Sequence, residues 1–309
     1  MAQILTVTFN PAVDKSTTVP ELIPEKKLGC AMPVFEPGGG GINVARAIHK
    51  LGGQAMAAYL AGGCTGQDLT KLLLTEGVQS IISKIELNTR ENLVVYEGSS
   101  GKQYRFGMPG PIVKASEYQT LINSIEDEKG VAYIVVSGSI PEGIPPGIFA
   151  ELSRIANAKN ARLIVDTSGA ALKYAVRSGV YLIKPNLREL GSLSNQEKVK
   201  SEDAVSLAKE VIKSGVCEFI ALSMGGEGAI LISKDLELKV SPPPVSIKST
   251  VGAGDSMLGG LVYSLSQGKR ITEAMRYGVA CGTAATLNPG TELCRKEDAD
   301  RLYRLIIEK

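Results

Sequence analysis

The chain has 309 residues, 44% of them hydrophobic, with 34 Lys and Arg against 32 Asp and Glu for a net charge of +2. This is enough for one large α/β domain or two smaller ones, while the near balance of charge argues against a nucleic-acid partner and the absence of an apolar run of roughly 20 residues argues against a membrane span. A single histidine, His49, excludes multi-histidine zinc sites, and five scattered cysteines (Cys30, Cys64, Cys217, Cys281, Cys294) without C-x-x-C spacing read as reduced, mostly packed thiols.

The opening stretch MAQILTVTFNPAVD lacks the basic segment, apolar core and cleavage site of a secretion signal, so a cytoplasmic protein is expected. Within it, Gln3–Phe9 reads as a strand. Thr17–Glu36 is β-like with no helical period. A helix is predicted over Ile42–Leu51, stopped by Gly52-Gly53, with His49 near its C-terminal end, where the dipole favours it or solvent receives it. A strand over Ala55–Gly62 and a helix over Leu69–Glu76, ended by Gly77, come next. Ile81–Phe106 is again β-like. With residues 17–36, residues 81–106 are expected to form a small extra sheet, acting as a lid and as a dimer surface.

Val131–Ser139 is a continuous apolar run, as in a parallel strand covered on both faces. The alternation continues with helix Pro146–Ala158, strand Arg162–Asp166, helix Gly169–Arg177, strand Val180–Asn186, helix Ala204–Ser214 and strand Cys217–Ser223. A hairpin-like pair, GAILIS and LELKVS, follows. Helices Ser256–Gln267, Ile271–Leu287 and Glu297–Glu308 close the chain. The pattern predicts one α/β domain over residues 1–309, a mostly parallel sheet with helices on both faces plus the β lid. Ligands then lie beyond the carboxyl ends of the strands.

Most of the polar motifs sit at such ends. In STVGAGDSM, the bare backbone of Gly252, Ala253 and Gly254 can approach a phosphate closely, and the helix that follows presents its positive end. Asp255, in the first turn, either caps that helix, a role worth about 1 kcal/mol, or takes a proton from a group attacking phosphorus. In EPGGGGINVARAIHKLGG, four glycines precede Asn43, which can donate and accept toward a hydroxylated ligand. The run lacks the G-K-[ST] of a Walker A loop and is not G-x-G-x-x-G. In KPNLREL, Lys184, Asn186 and Glu189 follow a strand; Asn186 and Glu189 either hold a hydrated Mg²⁺ or form a capping box. Ser223, Gly225, Gly226 and Gly228 of SMGGEGA either wrap a nucleotide or make a tight turn. Arg90 and Arg105 of the lid each offer a fork of donors to a phosphate or lie solvated. Asp14 either accepts from sugar hydroxyls or serves the turn after Pro11.

GGGGINVARAIHKLGGQAMAAYLAGG and STVGAGDSMLGGLV resemble the two signature blocks of the ribokinase-like carbohydrate kinase family. The N-x-x-E set at Asn186 and Glu189 and the S-x-G-x-x-G loop at Ser223, Gly225 and Gly228 match it as well, and the similarity runs over the whole chain. KLGCAMPVFEPGGGGINVARAI, QYRFGMPG and PPPVSIKSTVGAGDSM are most similar to the phosphosugar branch, its 6-phosphofructokinase members above all.

The resemblance implies a ribokinase-like fold and ATP-dependent phosphorylation of fructose 6-phosphate at the C1 hydroxyl, a glycolytic step. Tagatose-6-phosphate and fructose-1-phosphate kinases are the alternatives, and a non-catalytic sugar-phosphate or nucleotide sensor is the alternative from another class. It implies Asp255 as catalytic base over an anion hole of Gly252, Ala253 and Gly254. Asp14, Gly39, Asn43, Arg90, Arg105 and Ser139 become sugar-phosphate contacts. Lys184, Asn186, Glu189, Ser223, Gly225, Gly226 and Gly228 face ATP and Mg²⁺, with Val279 and Thr283 walling the adenine. K⁺ is implied near Ser249, Val251, Asn288 and Gly290, a homodimer through the lid, and a second, inhibitory ATP site that includes Lys27.

Overall fold

The expected alternation of strands and helices is present in a computed structural model that describes residues 3–196, 199–213 and 217–308. The chain begins β1 (Gln3–Thr8), β2 (Ala12–Val19), β3 (Val34–Gly38), α1 (Gly40–Lys50), β4 (Ala55–Ala61), α2 (Gly63–Thr75), β5 (Gln79–Lys84), β6 (Arg90–Glu97) and β7 (Lys102–Phe106). It continues α3 (Ala115–Asp127), β8 (Val131–Ser137), α4 (Ile148–Ala158), β9 (Arg162–Asp166), α5 (Gly169–Arg177), β10 (Val180–Ile183), α6 (Leu187–Leu193), α7 (Ala204–Lys213) and β11 (Cys217–Ser223). It ends with β12 (Ala229–Ile232), β13 (Glu237–Val240), α8 (Ala253–Ser266), α9 (Ile271–Ala285) and α10 (Lys296–Ile307).

Nine strands form a large sheet in the order β13-β12-β11-β10-β9-β8-β1-β4-β5. It is parallel from β11 to β5, and β12 runs antiparallel to both β11 and β13. Successive residues of a strand face opposite sides. Leu5 and Val7 pack under α3, α4 and α5 with Leu121, Phe149 and Leu172. On the other face Ile4, Val135 and Leu182 meet α1, α8, α9 and α10 through Ile48, Leu261, Ala280 and Leu302. The chain leaves β1 toward β4 on one side and later returns as β8 on the other. This reversal opens a crevice at the carboxyl ends of β1 and β8, where a doubly wound sheet binds ligands.

The lid strands differ from expectation in their limits. The small sheet has the order β3-β2-β6-β7, with β2 and β6 parallel and the outer pairs antiparallel. It starts at Ala12, five residues before Thr17, because Pro11 turns the chain straight out of β1 into β2. Ile81–Lys84, read with the lid, instead pairs with β4 as part of the large sheet's edge strand. An edge strand has one open side and one covered face, so its pattern does not say which sheet it joins.

Other departures have local causes. α2 starts at Gly63, six residues before Leu69, because its first turn is solvent-facing and carries no apolar signal. α3 was not anticipated: its buried residues are only Leu121, Ile122 and Ile125. β10 stops at Ile183, since Pro185 has no N–H to give the ladder. Ser214, the expected end of the helix that starts at Ala204, lies outside the described residues. His49 is exposed in the last turn of α1, and all five cysteines are free, three of them buried.

Candidate active site

One cavity of about 700 Å³ lies beyond the ends of β10 and β11. Its lining includes Asn186, Ser223, Gly225, Gly226, Gly228, Val279 and Thr283, seven of the nine residues read as ATP contacts. Pro242, Pro243, Pro244, Val245 and Ile247 also line it; they open the PPPVSIKSTVGAGDSM stretch that carries the family resemblance, where no contact role was given to them. Ala253, Gly254 and Met257 come from the start of α8, Thr250 from the loop before it, and Gly282 and Thr286 from the end of α9.

That start is built for close approach. Gly252 precedes the helix at φ 71°, a left-handed conformation that favours glycine, and a Cβ there would stand 2.7 Å from Leu293 Cδ2. The amides of Ala253, Gly254 and Asp255 then open α8 with no carbonyl four residues back inside the helix to bond. Free amides with the helix dipole behind them make such a start suited to an anion.

Asp255 does not cap α8. It sits in the first turn, half-buried, and its Oδ2 accepts from Asn43 Nδ2 at 2.9 Å. Burial, then the Asp166 carboxylate, pushes its pKa up to about 6, against the pull of the Asn43 hydrogen bond and Lys184. A second, polar cavity of about 290 Å³ collects Asp255, Asp166, Glu189, Gly40 and Ser137–Ser139. The glycine run is tight here: a Cβ on Gly40 would stand 2.3 Å from Ser137 Oγ. Gly254 lines the larger cavity and Asp255 the polar one, so the free amides and the carboxylate share one turn.

Lys184 is 6% exposed and its Nζ lies 3.1 Å from Asp166 Oδ2. It lies under the first turn of α8, 3.4 Å from where a Gly254 Cβ would stand. Burial acts to lower its pKa, but Asp166, with Asp255 and Glu189 behind it, outweighs burial and the net direction is up. Asp166 is a site residue that the sequence reading missed, although it closes a predicted strand.

Asn186 and Glu189 do form a capping box: Asn186 Oδ1 accepts from Glu189 N at 2.9 Å and Glu189 Oε2 from Asn186 N at 2.8 Å. This holds the seven-residue α6 in place through Glu189 Oε2, on a carboxylate that lines the polar cavity. Burial raises the Glu189 pKa. An oxygen-rich set beside the larger cavity fits a hydrated Mg²⁺.

On the lid side, Asp14 Oδ1 accepts from Asn92 Nδ2 at 2.8 Å, and its carboxyl is raised by burial despite Asn92 and Arg90. Gly38 gives it room, since a Cβ there would stand 2.5 Å from its Oδ2. Arg90 donates to the carbonyls of Met108 and Asn10, while its buried Nε has no partner. Asn10 in turn donates to Ser139 Oγ at 2.9 Å and leaves its own Oδ1 unpaired. These two buried orphans, one donor and one acceptor, suit a ligand that carries both hydroxyls and an anion. Arg105, on β7, is exposed and reaches Thr250 Oγ1 at 3.4 Å, joining the lid to the loop before α8.

Ser249 Oγ donates to the Gly290 carbonyl at 2.7 Å and accepts from Val251 N, so three of the four residues read as K⁺ contacts gather. Asn288 is buried and donates to Leu293 O. Hydroxyl and carbonyl oxygens fit a hard monovalent cation, and no cluster of His, Cys, Asp and Glu among the described residues suits a transition metal. Lys27 is exposed in the irregular connection between β2 and β3.

The chain matches the family model "pfkB family carbohydrate kinase" over residues 7–298. It is 43% identical over 304 residues to the ATP-dependent 6-phosphofructokinase isozyme 2 of Escherichia coli (strain K12), covering 98% of both chains. It is 32% identical over 301 residues to the 1-phosphofructokinase of Borreliella burgdorferi, covering 97% of this chain and 96% of that one. The crystal structure of the E. coli phosphofructokinase-2 in complex with potassium superposes with a TM-score of 0.95 at 43% identity, over 99% of this chain and all of that one. The structure of the tetrameric inhibited form of the same E. coli enzyme gives 0.93 at 41% identity, over 99% of this chain and 100% of that one.

Proposed function

The chain belongs to the pfkB family of carbohydrate kinases, and on that premise we propose that it transfers the γ-phosphoryl group of ATP to the C1 hydroxyl of fructose 6-phosphate. The observation that carries this reading is the single turn of α8 in which Asp255, with its pKa near 6, adjoins the free amides of Ala253 and Gly254. Between pH 7 and 8 such a carboxylate is ionised yet basic enough to accept a proton.

ATP occupies the larger cavity with its terminal phosphate at the α8 amides. Fructose 6-phosphate enters from the lid side, among Asp14, Asn43, Gly39 and Ser139, with its phosphate toward Arg90 and Arg105. Asp255 takes the hydroxyl proton as that oxygen attacks phosphorus. The loop amides of Gly252, Ala253 and Gly254, with Lys184 beneath them, face the charge carried by the equatorial oxygens. Asn186 and Glu189 would hold Mg²⁺, which would supply charge neutralisation at the phosphates. The Ser249–Gly290 turn would hold K⁺, in line with the potassium complex of the E. coli relative, and the ion would steady the loop before α8. The four-stranded sheet acts as a lid on one kinase domain, excluding water during transfer.

The measurement that tests this is ADP release with each sugar phosphate. Fructose 6-phosphate is expected to give a kcat/KM at least roughly tenfold above tagatose 6-phosphate and fructose 1-phosphate, about 1.4 kcal/mol of discrimination. Preference for fructose 1-phosphate moves the assignment to the Borreliella-like activity, and no ADP release with any of the three leaves a sensor. Arg105→Ala is expected to raise KM for the sugar phosphate about tenfold or more, the loss of one charged contact, with KM for ATP within twofold. An unchanged sugar-phosphate KM removes Arg105 from the phosphate site.

The lid also supports self-association. Val34, Phe35, Tyr96, Tyr104 and Phe106 are exposed on its strands, and paired lids in a homodimer bury such a patch. Lys27 at the lid's margin is assigned to a second nucleotide site through which excess MgATP inhibits, in keeping with the tetrameric inhibited form of the E. coli relative. No helix among the described residues is long and apolar enough to cross a membrane, and the cytoplasm is the proposed location.

A further inference from the structure

Arg46 stands three residues after Asn43 on α1, 3% exposed, a charged side chain on a face that is otherwise core. All five of its N–H groups are used. Nε and Nη2 grip both carboxylate oxygens of Glu76, each at 2.7 Å. Nη2 also reaches Glu36 Oε1 at 3.3 Å, and Nη1 donates to the Pro37 carbonyl at 2.8 Å and to Asn43 Oδ1 at 3.3 Å. Glu36 and Pro37 belong to the lid strand β3, and Glu76 ends α2. Glu36 also accepts from Thr291, next to the Gly290 turn.

An arginine can only donate, so the Asn43 atom facing Arg46 is the carbonyl oxygen, and the amide N–H of Asn43 is left to face Asp255. We propose that Arg46 is a positioning residue for the catalytic base: it fixes the Asn43 amide in the orientation that holds Asp255 as a carboxylate, and it ties that orientation to lid strand β3. With the amide turned over, a carbonyl oxygen meets the carboxylate. That arrangement favours the protonated acid, which cannot take a proton from the sugar. Other groups act on Asp255 too: Asp166 at the end of β9 and Asp14 on β2 favour protonation, and Lys184 after β10 opposes it. Glu189 shares its cavity. Among these neighbours, Asn43 is the one whose effect reverses with orientation.

The test is the pH profile of kcat with fructose 6-phosphate and MgATP in the full-length protein. Arg46→Lys keeps the charge but cannot grip Glu76 with both oxygens and reach Asn43 as well. Its acid limb is expected to move up by about half a pH unit or more, and to move no further when added to Asn43→Ala. Arg46→Gln, neutral and with one short amide, serves as the second variant and is expected to shift the same way. Glu76→Gln, which loosens the same ion pair from the other side, is expected to lower the melting temperature and leave the acid limb in place.

An unmoved limb in whichever Arg46 variant folds overturns the proposal. So does a shift just as large in the Asn43→Ala background, which marks simple charge or packing. The inference rests on Asp255 being the base, and the two fail differently. A wild-type profile without an acid limb, or one whose limb survives in Asp255→Asn, refutes the base itself. A wild-type limb that Arg46→Lys leaves in place refutes only the positioning role.

Discussion

Asp255→Asn is expected to lower kcat by about 10²–10⁴-fold, the usual contribution of a positioned general base, and at the same time to raise the melting temperature at neutral pH. The first effect follows from geometry, since the amide keeps the hydrogen-bonding shape beside Asn43 but cannot take a proton. The second follows from linkage. The folded-state pKa of Asp255 is about 6 against an ordinary 3.8, so the folded protein binds this proton more tightly than the unfolded chain. The stability it contributes is fully present below the ordinary value and is lost as pH rises through about 6. At pH 7.5 the wild type therefore carries a half-buried carboxylate whose ionised form its surroundings disfavour on balance, and asparagine removes it for a gain of about 1–3 kcal/mol. Melts at pH 7.5 and pH 4 alongside turnover check both halves: the gain is expected at 7.5 and should vanish near 4. Turnover within a few-fold of wild type sinks the base assignment, and an equal or lower melting temperature at pH 7.5 sinks the account of its environment.

Lys184→Met is expected to cost activity and stability together. Lys184 is the cation among Asp166, Asp255 and Glu189. Breaking such a buried pair by removing one partner costs about 3–5 kcal/mol, because the remaining charge is stranded. Loss of a preorganised cation beside the transferring group is worth about 10²–10³-fold in kcat. The folded pKa of Lys184 lies above its ordinary 10.5, so its contribution is fully present below that value and is lost only as pH rises past it. The deficit of the variant should thus be steady across neutral pH and shrink on acidification, as the stranded carboxylates protonate. A variant with kcat within threefold of wild type and an unchanged melt at pH 7.5 contradicts both roles.

The large sheet was legible because buried parallel strands are short apolar runs and the intervening helices carry a strong apolar face, as in Ile42–Leu51 and Ile271–Leu287. The same logic explains what escaped. α3 buries three residues and α6 spans seven, too few for a period to emerge. At the site, glycine-rich loops at strand ends declared Asp255, Asn43 and the Ser223–Gly228 turn, since bare backbone in that position has few purely structural uses. Asp166 did not stand out because a strand-terminal aspartate is common and its partner Lys184 lies a strand away. Arg46 escaped because Glu76, the carboxylate that grips it, is 30 residues distant. Its one local sign was a charge on the apolar face of α1.

The three consecutive prolines lining the larger cavity bear on which nucleotides it admits. Each has a locked φ and no N–H, so this segment loses little freedom when a base settles against it and has no amide protons with which to read that base's edge. In the proposed ATP complex, a stiff, greasy shelf of this kind would select for flatness and size, separating a purine from a pyrimidine more readily than one purine from another.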